Sequence, residues 1–230
     1  NTKEIEIYKQ GSNWIIRDYG RGLKYTHLTQ NENQEKIIHS NVIGKFGIGL
    51  KDALATFDRN NISVMIESRH GIITISKISK IGFNDIITLH ANIEEPIDKD
   101  FTGTQFVIKN IDDSEIGIAK KLFLIFSGEQ IIESTKYGQV INKIDSSGNI
   151  YINGVKVAAE PNFLFSYNIT EKNKAIQKAL NRERTNVGRT AYTDSVKKIL
   201  LNSNSSAVIN TLANDLQNYN QGIQHDELNW

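Results

Sequence analysis

The sequence contains no cysteine in 230 residues, which excludes disulfides, thiolate zinc sites and cysteine nucleophiles and suits a reducing compartment. Charge of one sign is also missing. The 27 basic and 26 acidic residues leave a formal +1, so no global field favours nucleic acid or an anionic membrane. Apolar runs are strand-sized, far short of the ~20 residues of a membrane helix, and no signal-peptide pattern opens the chain. The expected location is cytoplasmic, with no membrane partner. The five histidines, at 27, 39, 70, 90 and 225, show no paired ligand spacing, so no metal held by them is expected. Internal repeats and low-complexity tracts are absent as well.

What is present begins with two β-rich runs, Glu4-Ile-Glu-Ile-Tyr8 and Asn13-Trp-Ile-Ile-Arg17, separated by Lys9 to Ser12; this is a hairpin signal. Asp18 lies just past the second run, and Gly20 and Gly22 let the backbone turn tightly without a Cβ. By itself Asp-x-Gly-x-Gly also reads as a strand-ending turn. A second cluster, Gly44-Lys45-Phe46-Gly47-Ile48-Gly49-Leu50-Lys51, leads into a segment with Leu50, Leu54 and Phe57 at helical spacing. Glycines let backbone N–H groups approach an anion, and a helix N-terminus adds free donors and partial positive charge, so the junction suits a phosphate. Its spacing matches neither the Rossmann fingerprint nor the P-loop. Lys51 is open to two readings, a ligand for a terminal phosphate or a solvated helix lysine. A third piece, Thr102-Gly103-Thr104, opens a buried-strand pattern over 105 to 111.

Taken in this order and context, the three pieces resemble the GHKL nucleotide-binding family of gyrase, the ninety-kilodalton heat-shock chaperones, histidine kinases and MutL. The resemblance implies ATP or ADP as ligand, with Asp18 accepting a hydrogen bond from the adenine amine, Gly22 leaving room for the base and Thr104 placing its hydroxyl nearby. It makes the polar stretch 24 to 43 a lid over the triphosphate; an ordinary surface loop is the plainer reading. It also implies a water-activating glutamate and a magnesium-holding asparagine on a helix ahead of the first motif. The chain is already in its first hairpin by Glu4, and the expectation is that the native protein carries that helix upstream of Asn1. Lacking a phospho-acceptor helix, the chain is set apart from the kinase branch; Gly44 to Lys51 is most similar to MORC and MutL. The function so implied is an ATPase switch or motor that uses Mg2+ and dimerises on binding ATP. The alternatives are an interaction module that binds ATP without hydrolysing it and an Hsp-type chaperone. A nucleic acid or protein client is left open.

The expected fold is α/β, a two-layer sandwich of the GHKL ATP-binding type with a smaller C-terminal α/β or helical segment. Runs at 62 to 67, 72 to 76 and 86 to 90 supply further strands, and helix 50 to 57 covers one sheet face. A helix starts near Asp112, with Ile116, Ala119, Leu122, Phe123 and Phe126 at helical spacing before Gly128. Strands follow at 137 to 141 and 149 to 157, with a tight turn at Asn153-Gly154, and another at 162 to 169. The sequence places the nucleotide domain at 1–160 and a transducer-like or helical segment at 161–230, with helices near 191 to 201 and 206 to 219. Arg182, Arg184 and Arg189, with Asn181 and Asn186, form a cluster able to clamp phosphate. Arg182 and Arg184 are the candidate γ-phosphate sensors. A helix-end ion-pair set with Glu171, Glu183 or Asp194 is the plainer reading, and a nucleic-acid backbone contact is a third.

Overall fold

The structure, a computed structural model, describes residues 5–29, 48–80, 82–182, 187–222 and 224–229. It is mixed α/β and divides into two compact units, Asn1–Glu115 and Ile116–Trp230.

The first unit is built on a six-stranded sheet of β1 (Ile5–Gln10), β2 (Asn13–Asp18), β3 (Ser63–Ser68), β4 (Gly71–Lys80), β5 (Phe83–Glu94) and β6 (Thr104–Lys109). The strand order is β1-β2-β6-β3-β4-β5, antiparallel throughout. Because side chains alternate across a strand, the register sorts residues into rows on one face. One row is apolar from edge to edge: Ile7, Ile16, Phe106, Ile66, Ile73, Ile93. Helix α1 (Thr26–Thr29) is a single turn; α2 (Ile48–Arg59) lies on this face. As the i, i+4, i+7 spacing predicts, Leu50, Leu54 and Phe57 of α2 pack on Val64, Ile66, Ile73 and Ile108. This is the two-layer arrangement expected of the N-terminal half.

Helix α3 (Asp113–Lys120) begins where the first unit ends, and the second unit continues with α4 (Leu124–Ser127). The sequence reads 116 to 126 as one helix, but the structure breaks it. Residues 122 to 124 instead pair with a strand edge: Phe123 bridges Val155, Lys156 N donates to Leu122 O and Leu124 N donates to Gly154 O. A five-stranded sheet follows, made of β7 (Gln130–Ser134), β8 (Gly138–Asn142), β9 (Gly148–Ile152), β10 (Val155–Glu160) and β11 (Ser166–Ile169), in the order β10-β9-β11-β8-β7. Strand β11 sits in the middle, parallel to β9 and antiparallel to β8. That insertion ties 130–160 to the residues after 161, so the two compact units divide the chain at 115/116, whereas the sequence reading divides it at 160/161.

Helices α5 (Lys174–Arg182), α6 (Arg189–Leu201) and α7 (Ser206–Asn218) supply Ile176, Tyr192, Val196, Ile199 and Val208 to a core with Val140, Ile150, Ile152, Tyr167 and Ile169. The strand expected at 162 to 169 is shortened to β11. The amides of Leu164 and Phe165 leave the ladder and donate to Glu227 Oε1, which also accepts from the Tyr167 hydroxyl. Glu133 acts in the same way at α7, accepting from Asn204 N, Ser205 N and the Ser203 hydroxyl; these bonds hold its carboxyl below the usual range.

Candidate functional site

The row after the apolar one on the first sheet is polar. Asp18 on β2, Thr104 on β6 and Ser68 on β3 stand in register side by side, where three strands end together on the face that carries α2. Thr104 and Ser68 are buried. Asp18 Oδ1 accepts from Gly20 N at 2.8 Å and from Thr104 N at 3.3 Å, which fixes the carboxylate and closes the turn. Ser68 Oγ donates to Leu23 O at 2.7 Å and accepts from His70 N at 3.2 Å. Two acceptors remain: Asp18 Oδ2 and the Thr104 hydroxyl make no hydrogen bond among the described residues.

The glycines beside this row meet steric demands. A Cβ on Gly103, whose φ is +87°, would lie 1.8 Å from the Asp18 carbonyl oxygen. One on Gly22, φ +82°, would come 3.2 Å from Gly103 O and 3.4 Å from His70. Only glycine lets the two loops approach this closely. Arg17, the neighbour of Asp18, points to the other face of the sheet. There its guanidinium stacks on Phe101 at 4.5 Å and Tyr19 at 5.1 Å, so its charge is turned away from the row.

Of the residues read from the sequence, Asp18, Gly20, Gly22 and Thr104 come together at this end of the sheet. Ile48, Gly49, Leu50 and Lys51 form the first turn of α2, where Leu50 packs into the core. Gly44, Lys45, Phe46 and Gly47 lie outside the described residues, as do Arg184 and most of the 24 to 43 stretch; Arg182 ends α5, but its side chain is not described. Arg189 is committed to structure. It pairs with Glu160 and with Asp226, the latter at 2.7 Å, while Tyr192 donates to Glu160. These partners are other than the three acids expected from the sequence. Sequence reasoning missed Ser68, which falls one residue past the run read as a strand; only the register sets it beside Thr104.

A cavity of about 220 Å³ opens under α2, lined by Leu54, Phe57, Asp58, Asn61, Ile62 and Val64. It lies at the start of β3, at the opposite end of that strand from Ser68, and we do not equate it with the Asp18 row. Among the described residues no group of three or more His, Cys, Asp or Glu is arranged to hold a metal, and no helix is long and apolar enough to cross a membrane.

Fold and site together define an α/β protein of two units, the first carrying a polar row at one end of an antiparallel sheet. An uncharacterized protein of Mycoplasma pneumoniae (strain ATCC 29342 / M129 / Subtype 1) is 41% identical over 205 residues, covering 86% of this chain and 81% of the relative. The chain belongs to the family of that protein. A second uncharacterized protein of the same organism is 32% identical over 133 residues, 56% of this chain and 37% of the relative. Residues 114–206 match the family described as Mycoplasma pneumoniae MPN635 N-terminal domain. Among solved structures, the 43K ATPase domain of Thermus thermophilus gyrase B, in complex with an aminocoumarin, is similar at 11% identity and a TM-score of 0.32, over 95% of this chain and 85% of that one. A likeness at that level is too slight to carry an argument about this chain.

Proposed function

We propose that the Asp18 row binds the adenine of ATP or ADP and that the chain is a GHKL-type nucleotide-binding protein. One observation carries this reading: Asp18 Oδ2 and the Thr104 hydroxyl stand side by side, pre-positioned and without hydrogen bonds among the described residues, next to two loops whose close approach only glycine at 22 and 103 allows. A carboxylate oxygen next to a hydroxyl matches the amine edge of adenine, donor against acceptor. Guanine presents a carbonyl oxygen at the same place and opposes acceptor to acceptor. The phosphates would extend toward Gly44 to Lys51 and the start of α2. When bound, the triphosphate supplies the energy of a switch, and the residues described here bind and orient its base.

In this reading the protein is an ATPase switch or motor, with Mg2+ and a homodimer formed on ATP binding. The described residues offer no cluster for Mg2+, so the ion would depend on residues outside them. The affinity with MORC and MutL rests on Gly44 to Lys51 alone, and the relatives do not favour that branch. Calorimetry with ATP, ADP and GTP tests the base assignment. The expected result is heat from both adenine nucleotides and none from GTP. Equal affinity for ATP and GTP would sink the adenine reading.

A further inference from the structure

Among the described residues each sheet ends in two edge strands, and three of the four are guarded against pairing with another chain in ways that natural sheets use. β1 is six residues long and carries Glu6 and Lys9. β10 is met by residues 122 to 124. β7 has five residues, with a register shift between Ile131 and Glu133. Strand β5 is different. It is twelve residues long, contains no Pro, Lys or Arg, and pairs with β4 in unbroken register from Ile87 to Glu94. No other described segment pairs with its outer edge. β3 follows β4 only as far as Thr74, so from Ile75 towards the tip the ribbon is two-stranded, an arrangement that is marginal by itself. Ile87, Leu89, Ala91 and Ile93 alternate onto the face that carries α2 and are exposed there, Ile87 at 67% and Ile93 at 49%.

We propose that the outer edge of β5 pairs antiparallel with β5 of a second copy of this chain, extending the sheet across a two-fold axis. An axis that sets the two strands antiparallel in one sheet stands normal to it, so each face of one copy continues the same face of the other. Odd-numbered residues therefore meet odd-numbered ones. With His90 on the axis, Ile87 faces Ile93 of the second copy and Leu89 faces Ala91, so all four apolar side chains gain apolar neighbours. A slip of two residues either way sets Asp85 against Ile93 or Glu95 against Ile87. In the register with His90 on the axis no carboxylate faces another, since Glu94 falls opposite Ile86. Pairing also gives the two-stranded ribbon a third and a fourth strand and bonds outward N–H and C=O groups otherwise left to water. The paired run 87 to 93 is ~24 Å long at ~3.4 Å per residue. A contact of that length and one strand wide is small against the about 800 Å² per partner of a standard interface, so the dimer is reversible. It needs no nucleotide and is independent of the Asp18 reading.

Sedimentation equilibrium of the full chain without nucleotide, from about 5 to 500 µM, should show monomer and dimer exchanging reversibly. Ile87→Lys places in the pairing row the charge that natural sheets use to guard an edge and should weaken association about tenfold or more. Its side chain is exposed, so the fold should tolerate the change, as circular dichroism checks. Asp18→Asn should associate as the unaltered chain does. Because the chain has no cysteine, single substitutions report the register. His90→Cys should close a disulfide across the axis, since residues directly opposite have Cα atoms about 4.5 to 5.5 Å apart. Thr88→Cys, on the same face but ~14 Å from its mate, should not. A chain that stays monomeric over the whole range would leave the edge to a different partner and overturn the proposal. So would association that Ile87→Lys leaves unchanged, or equal cross-linking of the two cysteine variants.

Discussion

The two sheets handle polar side chains in opposite ways. In the first unit one end of the sheet is polar, and Asp18 Oδ2 and the Thr104 hydroxyl are held in place with no hydrogen bond among the described residues. In the second unit β9 and β11 are buried along their whole length, and their polar side chains are held by neighbouring protein groups, Asn149 and Ser166 by Glu129 and Asn168 by Gln139. A polar group where strands end can be oriented by the ladder behind it and still face a ligand. In the middle of a sheet it must be satisfied internally or cost stability. The first arrangement is suited to binding, the second to holding a structure.

The sharpest way to break this contrast is to empty the core of the second unit. Phe163→Ala removes a fully buried ring that meets Tyr167 edge-on at 6.0 Å and should cost about 3 to 5 kcal/mol. Hydrogen exchange should then speed up across 138 to 169 and leave 63 to 109 near its original rate. Equal acceleration in both segments would show that the units unfold as one. Next in size is Asp18→Asn, which should weaken ATP binding by about 1.5 to 3 kcal/mol, roughly 10-fold to 150-fold, through loss of a charge-assisted bond. Calorimetry checks this, and unchanged affinity would remove the adenine assignment.

Smaller effects separate neighbours within the row. Thr104→Val should cost ATP about 1 kcal/mol of binding with little change in stability, because its hydroxyl bonds no group among the described residues. Ser68→Ala should do the reverse, lowering stability by about 1 kcal/mol through loss of the bonds to Leu23 and His70. Affinity and urea midpoints measured on both variants decide it; matching losses would mean that the row acts as one structural unit.

The smallest effect lies in the second unit and depends on pH. Burial pushes the Glu227 carboxyl above its ordinary 4.5, so the folded chain holds this proton more tightly than the unfolded one. The stability from this group is fully present below about pH 4.5 and is lost as pH rises through the raised folded value. Glu227→Gln should flatten that part of the stability curve, read from urea midpoints between about pH 4 and 8. A slope that persists in the variant would assign it to other groups.

Local pattern was enough to foresee much of this molecule. Alternation and turn residues mark the first hairpin, β3 to β6 and the Asn153-Gly154 turn, and the spacing of Leu50, Leu54 and Phe57 marks the covering helix, since strand and helix periods are properties of consecutive residues. Asp18 and Thr104 were legible because one ends β2 and the other opens β6, and Gly22 because it lies in the turn after β2, where sequence signals are strong. Three things were decided only by tertiary structure. Phe123 has helical spacing, yet its segment joins the edge of β10 because pairing there outweighs one more helical turn. The amides at 164 and 165 leave the strand because Glu227, more than sixty residues away, accepts their hydrogen bonds. Ser68 reaches Thr104 only because β6 inserts between β2 and β3. In each case the deciding partner is distant along the chain, and its contribution to the free energy exists only once the fold has brought it near.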